Sequence, residues 1–188
     1  MRTVGVVLAG GRSSRMGTDK SQLLVNGRPM VVHMASLLKN VGMDEVVISC
    51  KKPVREAVRE AVRDVEGFIS IADKTPFQGP AQGMLTVATD ASLQNAERLL
   101  FVPVDMPLLT EEILQTLLAE QQSCYFTDCF LPCVLYKKNL QDVAEETTSV
   151  KHLLEQAGAV ALAKPAGYEN QFLNTNTPEA FEDAVKIL

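Results

Sequence analysis

No apolar run in the 188-residue sequence approaches the roughly 20 residues that a membrane-spanning helix needs. The apolar opening, Thr3 to Ala9, is too short for a secretory leader and runs straight into Gly10-Gly11, so a cytoplasmic location is expected. Histidine is scarce: His33 and His152 are the only two, and neither sits at metal-binding or catalytic spacing. The four cysteines, Cys50, Cys124, Cys129 and Cys133, match no zinc-ligand spacing and are expected to be reduced thiols. A Gly-x-Ser-x-Gly elbow and a Cys–His pair are both absent, which leaves nucleophilic catalysis without support. So are the Walker A sequence and the G-x-G-x-x-G fingerprint.

An overall excess of basic charge is missing too. The formal net charge is −5, with 46% hydrophobic and 22% charged residues. That ordinary composition excludes disorder, collagen and coiled coil as whole-chain descriptions, and one domain spanning residues 1–188 is expected. The charge is uneven, however. Residues 1–60 carry ten Lys or Arg against five Asp or Glu, and residues 61–188 carry eight against eighteen. Duplex nucleic acid is therefore not an expected partner, but a small anion near the N-terminus is.

What is present is an alternation of apolar runs and amphipathic stripes. Strands are expected at Thr3–Ala9, Glu45–Ser49, Phe68–Ala72, Arg98–Val104, Cys124–Thr127, Phe130–Tyr136 and Ala159–Ala163. Between them lie helical stripes: one around Met30, Met34 and Leu38, one from Val54 to Val65, and one opened by Gly79-Pro80. Thr110 is positioned to cap a helix buried through Ile113, Leu114, Leu117 and Leu118. Another helix is expected at Val150–Ala157. Thr177-Pro178 starts a last one, with Phe181, Ala184, Val185 and Leu188 as its buried face. Alternating strands and helices imply a mostly parallel sheet covered on both faces, and ligands in such sheets sit beyond the carboxyl ends of the strands.

Three motifs lie at such ends, and a fourth precedes the last helix. Leu8-Ala9-Gly10-Gly11-Arg12-Ser13-Ser14-Arg15-Met16-Gly17-Thr18-Asp19-Lys20 joins a buried strand to a loop rich in glycine and cations, a pattern that suits phosphate. Arg15 and Lys20 would neutralise its charge, one as a planar fork and the other as a point charge. Asp105, in Val104-Asp105-Met106-Pro107, is placed to bind Mg²⁺. Asp73 ends a strand and is followed by Gly79-Pro80 and Gly83, which allow close approach of a ligand. Asn174 and Asn176 flank Thr175 just before the helix start at Thr177, and their amides can both donate and accept. His33 and His152 are expected on helix faces.

Together, Leu8-Ala9-Gly10-Gly11, Arg15-Met16-Gly17-x-Asp19-Lys20, Gly79-Pro80-x-x-Gly83-Met84, Asp105-x-Pro107 and Asn174-x-Asn176-Thr177-Pro178 resemble the nucleotidyltransferases that activate sugars and cofactors. More narrowly, they resemble the molybdenum cofactor guanylyltransferases, in the same order and from Val4 to Phe181. The resemblance implies a three-layer αβα, Rossmann-like nucleotidyltransferase fold on a mostly parallel mixed sheet. It implies GTP and molybdopterin as substrates and Mg²⁺ as cofactor. By position, Leu8, Ala9, Gly10, Gly11, Gly79, Pro80 and Gly83 would meet the nucleotide, and Lys20 its phosphates. Asp73 would belong to the guanosine site, Asp105 would hold the metal, and Asn174 and Asn176 would lie on the molybdopterin side or near the metal. Ser49 stands where better-known members carry an asparagine near the nucleotide. Contacts with molybdenum-insertion proteins belong to the same implication; a monomer is the default.

The expected reaction is attack of the molybdopterin phosphate on the α-phosphorus of GTP. Arg15, Lys20 and metal-bound Asp105 would carry the catalysis. Two alternatives remain open at this point. One is a cytidylyltransferase or sugar-phosphate enzyme on the same fold; the other is a nucleotide-binding module without turnover.

Overall fold

The computed structural model describes residues 1–10, 19–50, 56, 58, 60, 61, 68–73 and 79–188. A seven-stranded sheet runs through the molecule. Its strands are β1 (Thr3–Leu8), β4 (Glu45–Cys50), β5 (Phe68–Ala72), β6 (Arg98–Pro103), β7 (Cys124–Phe126), β8 (Cys129–Tyr136) and β9 (Val160–Leu162). A separate small hairpin pairs β2 (Leu24–Val25) with β3 (Arg28–Pro29); the sequence pattern had not shown it. The sheet order is β5-β4-β1-β6-β8-β7-β9. Every pairing from β5 to β6 is parallel, β8 is antiparallel to both neighbours, and β9 runs parallel to β7. The sheet is thus mostly parallel with one reversed strand, a mixed α/β architecture.

The helices are α1 (Met30–Asn40), α2 (Pro80–Ala88), α3 (Glu111–Leu118), α4 (Val150–Gln156) and α5 (Pro178–Ile187). Alternation along the strands assigns them to two layers. Val7, Ile48, Leu100 and Val102 face a core shared with Met34 and Leu38 of α1 and with Ile113, Leu114 and Leu117 of α3. Val4, Val6, Leu8, Val47 and Phe101 face the opposite core, with Met84 and Val87 of α2 and Leu153 and Leu154 of α4. The strands read as continuous apolar runs because both of their faces are covered. Gly5 lets α1 settle closely: a Cβ there would lie 2.8 Å from Met43 Cγ and 3.0 Å from Leu38 Cδ1.

Most expected elements recur within a residue or two. Of the helix expected over residues 54–65, the described residues Glu56, Val58, Glu60 and Ala61 are helical, with Val58 buried; the rest lies outside the described residues. Two expectations need correction. Thr110 sits at the start of α3, but its hydroxyl makes no cap to that helix and instead donates to Gln171 Oε1 at 2.8 Å. In α5 only Ala184 is buried. Phe181 packs partly against the core, while Leu188 is 42% exposed because the helix ends there on the surface. Thr177 does cap α5, accepting from the Ala180 amide at 3.2 Å. Among the described residues, no helix is long and apolar enough to cross a membrane.

Candidate active site

The chain passes from β1 to β4 on one side, then outward to β5, and returns to β6 on the other side of β1. This reversal leaves a crevice at the carboxyl ends of the central strands, the usual ligand position in an open α/β sheet. Main-chain bonds extend the ladder beyond the strands and hold the crevice wall. Ala9 N donates to Ser49 O at 2.8 Å, Asp73 N to Cys50 O at 2.9 Å, and Val104 N to Leu8 O at 3.2 Å. The resulting cavity measures about 530 Å³, within the range of small-molecule sites.

The sequence-derived candidates gather around this one space. Leu8, Ala9 and Gly10 line it from the end of β1, Ser49 from β4 and Asp73 from β5. Gly79, Pro80 and Gly83 line it from the start of α2, Lys20 from the first loop, and Asp105 from the end of β6. Asn174 and Asn176 close it from the C-terminal segment. Gly11 and Arg15 lie outside the described residues.

Two polar groupings organise the cavity. In the first, Lys20 Nζ pairs with Asp105 Oδ2 at 3.3 Å and also donates to Asn176 Oδ1. Lys20 is delivered by a tight turn in which Asp19 accepts from the Ser21 amide and hydroxyl, at 3.0 and 2.9 Å. Ser21 itself is fully buried, so the turn is anchored in the molecule. In the second, Ser49 Oγ donates to Asp73 Oδ1 at 2.8 Å, and both residues are buried. Gly79 has φ of 91°, a conformation favoured by glycine, at the residue before α2.

Three contributors were not legible in the sequence. Thr175 is buried, and both its amide and its hydroxyl donate to the Asp105 carbonyl, at 2.8 and 3.1 Å. It therefore fixes the two flanking asparagines against the strand end that carries Asp105. His33 Nε2 lies 2.9 Å from Pro107 O; a carbonyl only accepts, so Nε2 carries the proton in that bond. This ties α1 to the turn after Asp105. The third is the β7–β8 turn, whose Asp128 has φ of 58° and which places Asp128 and Phe130 on the cavity wall. The only available signal for Thr175 was its place between two asparagines. His152, by contrast, is a surface residue, beside Gln156 and Glu155.

The four cysteines are buried thiols outside any disulfide. Burial, then the charge of Glu120, raises the Cys124 thiol to about 11, and burial also raises Cys129 and Cys133. None of these three is a poised thiolate. Among the described residues, no cluster of three or more His, Cys, Asp or Glu could hold a metal.

Comparison with known proteins agrees with this geometry. The profile of the MobA-like NTP transferase domain matches residues 5–160. A molybdenum cofactor guanylyltransferase of Xanthomonas euvesicatoria pv. vesicatoria (strain 85-10) is 36% identical over 185 residues, covering 93% of this chain and 90% of the relative. One from Cereibacter sphaeroides is 32% identical over 200 residues, covering 100% and 98%. At the level of fold, a nucleotidyl transferase from Methanothermobacter thermautotroptrophicus superposes with a TM-score of 0.75 at 15% identity, over 99% of this chain and 97% of that one. Molybdopterin-guanine dinucleotide biosynthesis protein A from Archaeoglobus fulgidus superposes with a TM-score of 0.72 at 19% identity, over 98% and 97%. With the profile across most of its length and such relatives aligned nearly end to end, the chain belongs to the MobA-like nucleotidyltransferases, in the molybdenum cofactor guanylyltransferase family.

Proposed function

We propose that the cavity binds GTP beside molybdopterin and transfers GMP to the molybdopterin phosphate, releasing pyrophosphate and forming molybdopterin guanine dinucleotide. The observation that carries this reading is the meeting of Lys20, Asp105 and Asn176 at the mouth of the sheet, within one cavity that also holds the Ser49–Asp73 pair. In this assignment the main chain of Leu8, Ala9, Gly10 and Gly11 cradles the nucleotide, with Gly79, Pro80 and Gly83 on the opposite wall. Asp73 serves the nucleoside end, Lys20 and Arg15 the phosphates, and Asn174 and Asn176 the acceptor.

A phosphate monoester carries nearly two negative charges at neutral pH, since its second pKa is near 6. The nucleophile is therefore already ionised, and no general base is required. This suits a cavity that, among the described residues, no histidine lines. The protein's work is to bring the two anions together in line and to offset their charge. Lys20 supplies one fixed positive charge directly beside Asp105.

We assign Mg²⁺ as the cofactor, held by Asp105. The fit rests on the Lys20 ammonium, which already marks a point where the carboxylate of Asp105 and the amide oxygen of Asn176 both accept from one cation. An all-oxygen set with a single carboxylate suits an ion that keeps waters and phosphate oxygens in its shell. Bound there, its chemical contribution is to draw charge from the oxygen that leaves with pyrophosphate. We further read the chain as one catalytic domain over residues 1–188, monomeric and cytoplasmic, in contact with molybdenum-insertion proteins.

The test is a melting panel with GTP, CTP, UTP and ATP, each with and without Mg²⁺, followed by pyrophosphate release with molybdopterin. A ligand at about 100 times its dissociation constant adds about 2.7 kcal/mol of stability, easily seen in a melting curve. A shift selective for GTP and turnover with molybdopterin are expected. A shift selective for CTP would make the enzyme a cytidylyltransferase, and no pyrophosphate with either nucleotide would overturn the catalytic reading.

A further inference from the structure

Ser49 is 1% exposed, and Asp73 is 8% exposed. The serine hydroxyl has one proton, and it is directed to Asp73 Oδ1 at 2.8 Å. Ser49 lies at the fifth position of β4, paired in register with Ile71, and Asp73 follows the end of β5. The two side chains therefore meet across neighbouring parallel strands, with the Asp73 amide held by Cys50 O.

Two glycines from two other elements make room for this pair. A Cβ on Gly10, after β1, would lie 2.5 Å from Asp73 Oδ2, a distance that real Cβ atoms essentially never show. A Cβ on Gly83, in α2, would lie 3.1 Å from Ser49 Oγ and 3.4 Å from Asp73 Oδ1. The Asp73 carboxylate is thus bounded by Gly10 on one oxygen and by Ser49 and Gly83 on the other. Four separate segments converge to define one orientation of one carboxylate.

We propose that Ser49 is a positioning residue: its hydroxyl holds the Asp73 carboxylate in the orientation that Gly10 and Gly83 leave open, so that Asp73, not Ser49, meets the nucleoside. The inference rests on the reading that GTP lies against Asp73. It changes the part assigned to position 49. An asparagine there would offer two amide donors and an acceptor of its own, whereas the serine has a single proton and directs it to the carboxylate. Recognition at this end of the cavity then passes through Asp73, an acceptor-only group suited to the N–H donors of a base edge or the hydroxyls of ribose.

The experiment is a double-mutant cycle on GTP·Mg²⁺ affinity by isothermal titration calorimetry, using Ser49→Ala, Asp73→Ala and the double variant, with melting curves for each. Ser49→Ala is expected to weaken GTP by roughly 10-fold in the native background, the scale of one hydrogen bond to a charged group, and not at all in the Asp73→Ala background. Ser49→Thr, which keeps the hydroxyl, is expected to restore affinity. Ser49→Cys, close in size with a weak donor, serves as the second probe if removal of the hydroxyl impairs folding; its loss is expected to vanish in the Asp73→Ala background too. An equal loss in both backgrounds would mean that Ser49 touches the nucleotide itself and would overturn the proposal. So would unchanged affinity in Ser49→Ala while Asp73→Ala weakens binding. Full GTP affinity in Asp73→Ala would instead remove the underlying reading that the nucleotide lies there, and the proposal with it.

Discussion

Lys20 and Asp105 stand 85 positions apart in sequence, yet their charged atoms lie 3.3 Å apart. The Lys20 side chain is 12% exposed and that of Asp105 21%. A pair this largely buried must offset the desolvation of both charges and is weak evidence of added stability, so folding alone gives little reason for it. Its use is better sought in the charges that the cavity must accept. A triphosphate would draw the ammonium away, and a divalent ion would compete for the carboxylate. Under the proposed function, Lys20 would hold the place of a cation until nucleotide and metal arrive together.

Lys20→Met should separate these two roles. GTP affinity and turnover are expected to fall, turnover by roughly 100-fold or more, the scale of losing one aligned charge in a preorganised site. Binding of Mn²⁺ without nucleotide is expected to rise, because Asp105 no longer has an ammonium to displace. Electron paramagnetic resonance of free Mn²⁺ reads that change independently of activity. Weaker Mn²⁺ binding in the variant would show that Lys20 does not compete for the site.

Asp105→Asn tests the carboxylate while sparing the scaffold. The main-chain carbonyl of Asp105, not its side chain, accepts the two bonds from Thr175. The fold and melting temperature are therefore expected to stay near those of the parent, while metal-dependent turnover is lost. Near-normal turnover with Mg²⁺ would remove Asp105 from the metal site.

Thr175→Val keeps the side-chain volume and removes only the hydroxyl donor to the Asp105 carbonyl. The amide bond from residue 175 survives, so the cost to stability is about 1 kcal/mol, the net worth of one hydrogen bond. The functional effect is expected on the acceptor side, through loosening of Asn174 and Asn176. KM for molybdopterin should rise while the dissociation constant for GTP stays the same. Initial rates at varied acceptor, set beside GTP calorimetry, distinguish the two. An equal rise in both constants would count against the assignment of the asparagines to the acceptor.

Thr175 also marks the boundary of what sequence reasoning reached. Strand ends were legible because a buried parallel strand is apolar throughout: Thr3–Leu8 and Arg98–Pro103 stand out, and Asp105 interrupts the pattern just beyond the second. The glycine-rich loop after Leu8, Asp73 and Asp105 follow from the same logic, since loops at carboxyl ends of strands converge, whereas Ser49 came from the family resemblance alone. Thr175 to Asp105, His33 to Pro107 and Thr110 to Gln171 are different in kind. Each joins segments far apart in sequence through one polar atom, and no periodicity encodes that. The antiparallel turn from β7 to β8 was legible in the two residues between their expected strands, but the insertion of β8 between β6 and β7 was not, because strand order within a mixed sheet is not written in side-chain pattern.

Alkaline pH should weaken the fold through its buried thiols. Cys124 rises from 9.0 to about 11, chiefly by burial and then by the Glu120 carboxylate; Cys133, completely buried, shifts upward as well, chiefly by burial. A thiol with a raised native value keeps its proton when the unfolded chain has lost it. The unfolded state then binds fewer protons, and stability falls as pH rises. The contribution is intact below pH 9.0 and, for Cys124, is lost progressively up to about 11. Melting temperature is therefore expected to hold through neutral pH and to decline across that window. In Cys124→Ala the decline should be shallower, whatever the substitution costs at pH 7. Iodoacetamide provides the companion measurement: at neutral pH the native protein should alkylate slowly and the denatured protein rapidly. Rapid native labelling of Cys124 would contradict its burial in β7, and an unchanged alkaline slope in Cys124→Ala would assign the pH dependence to other groups.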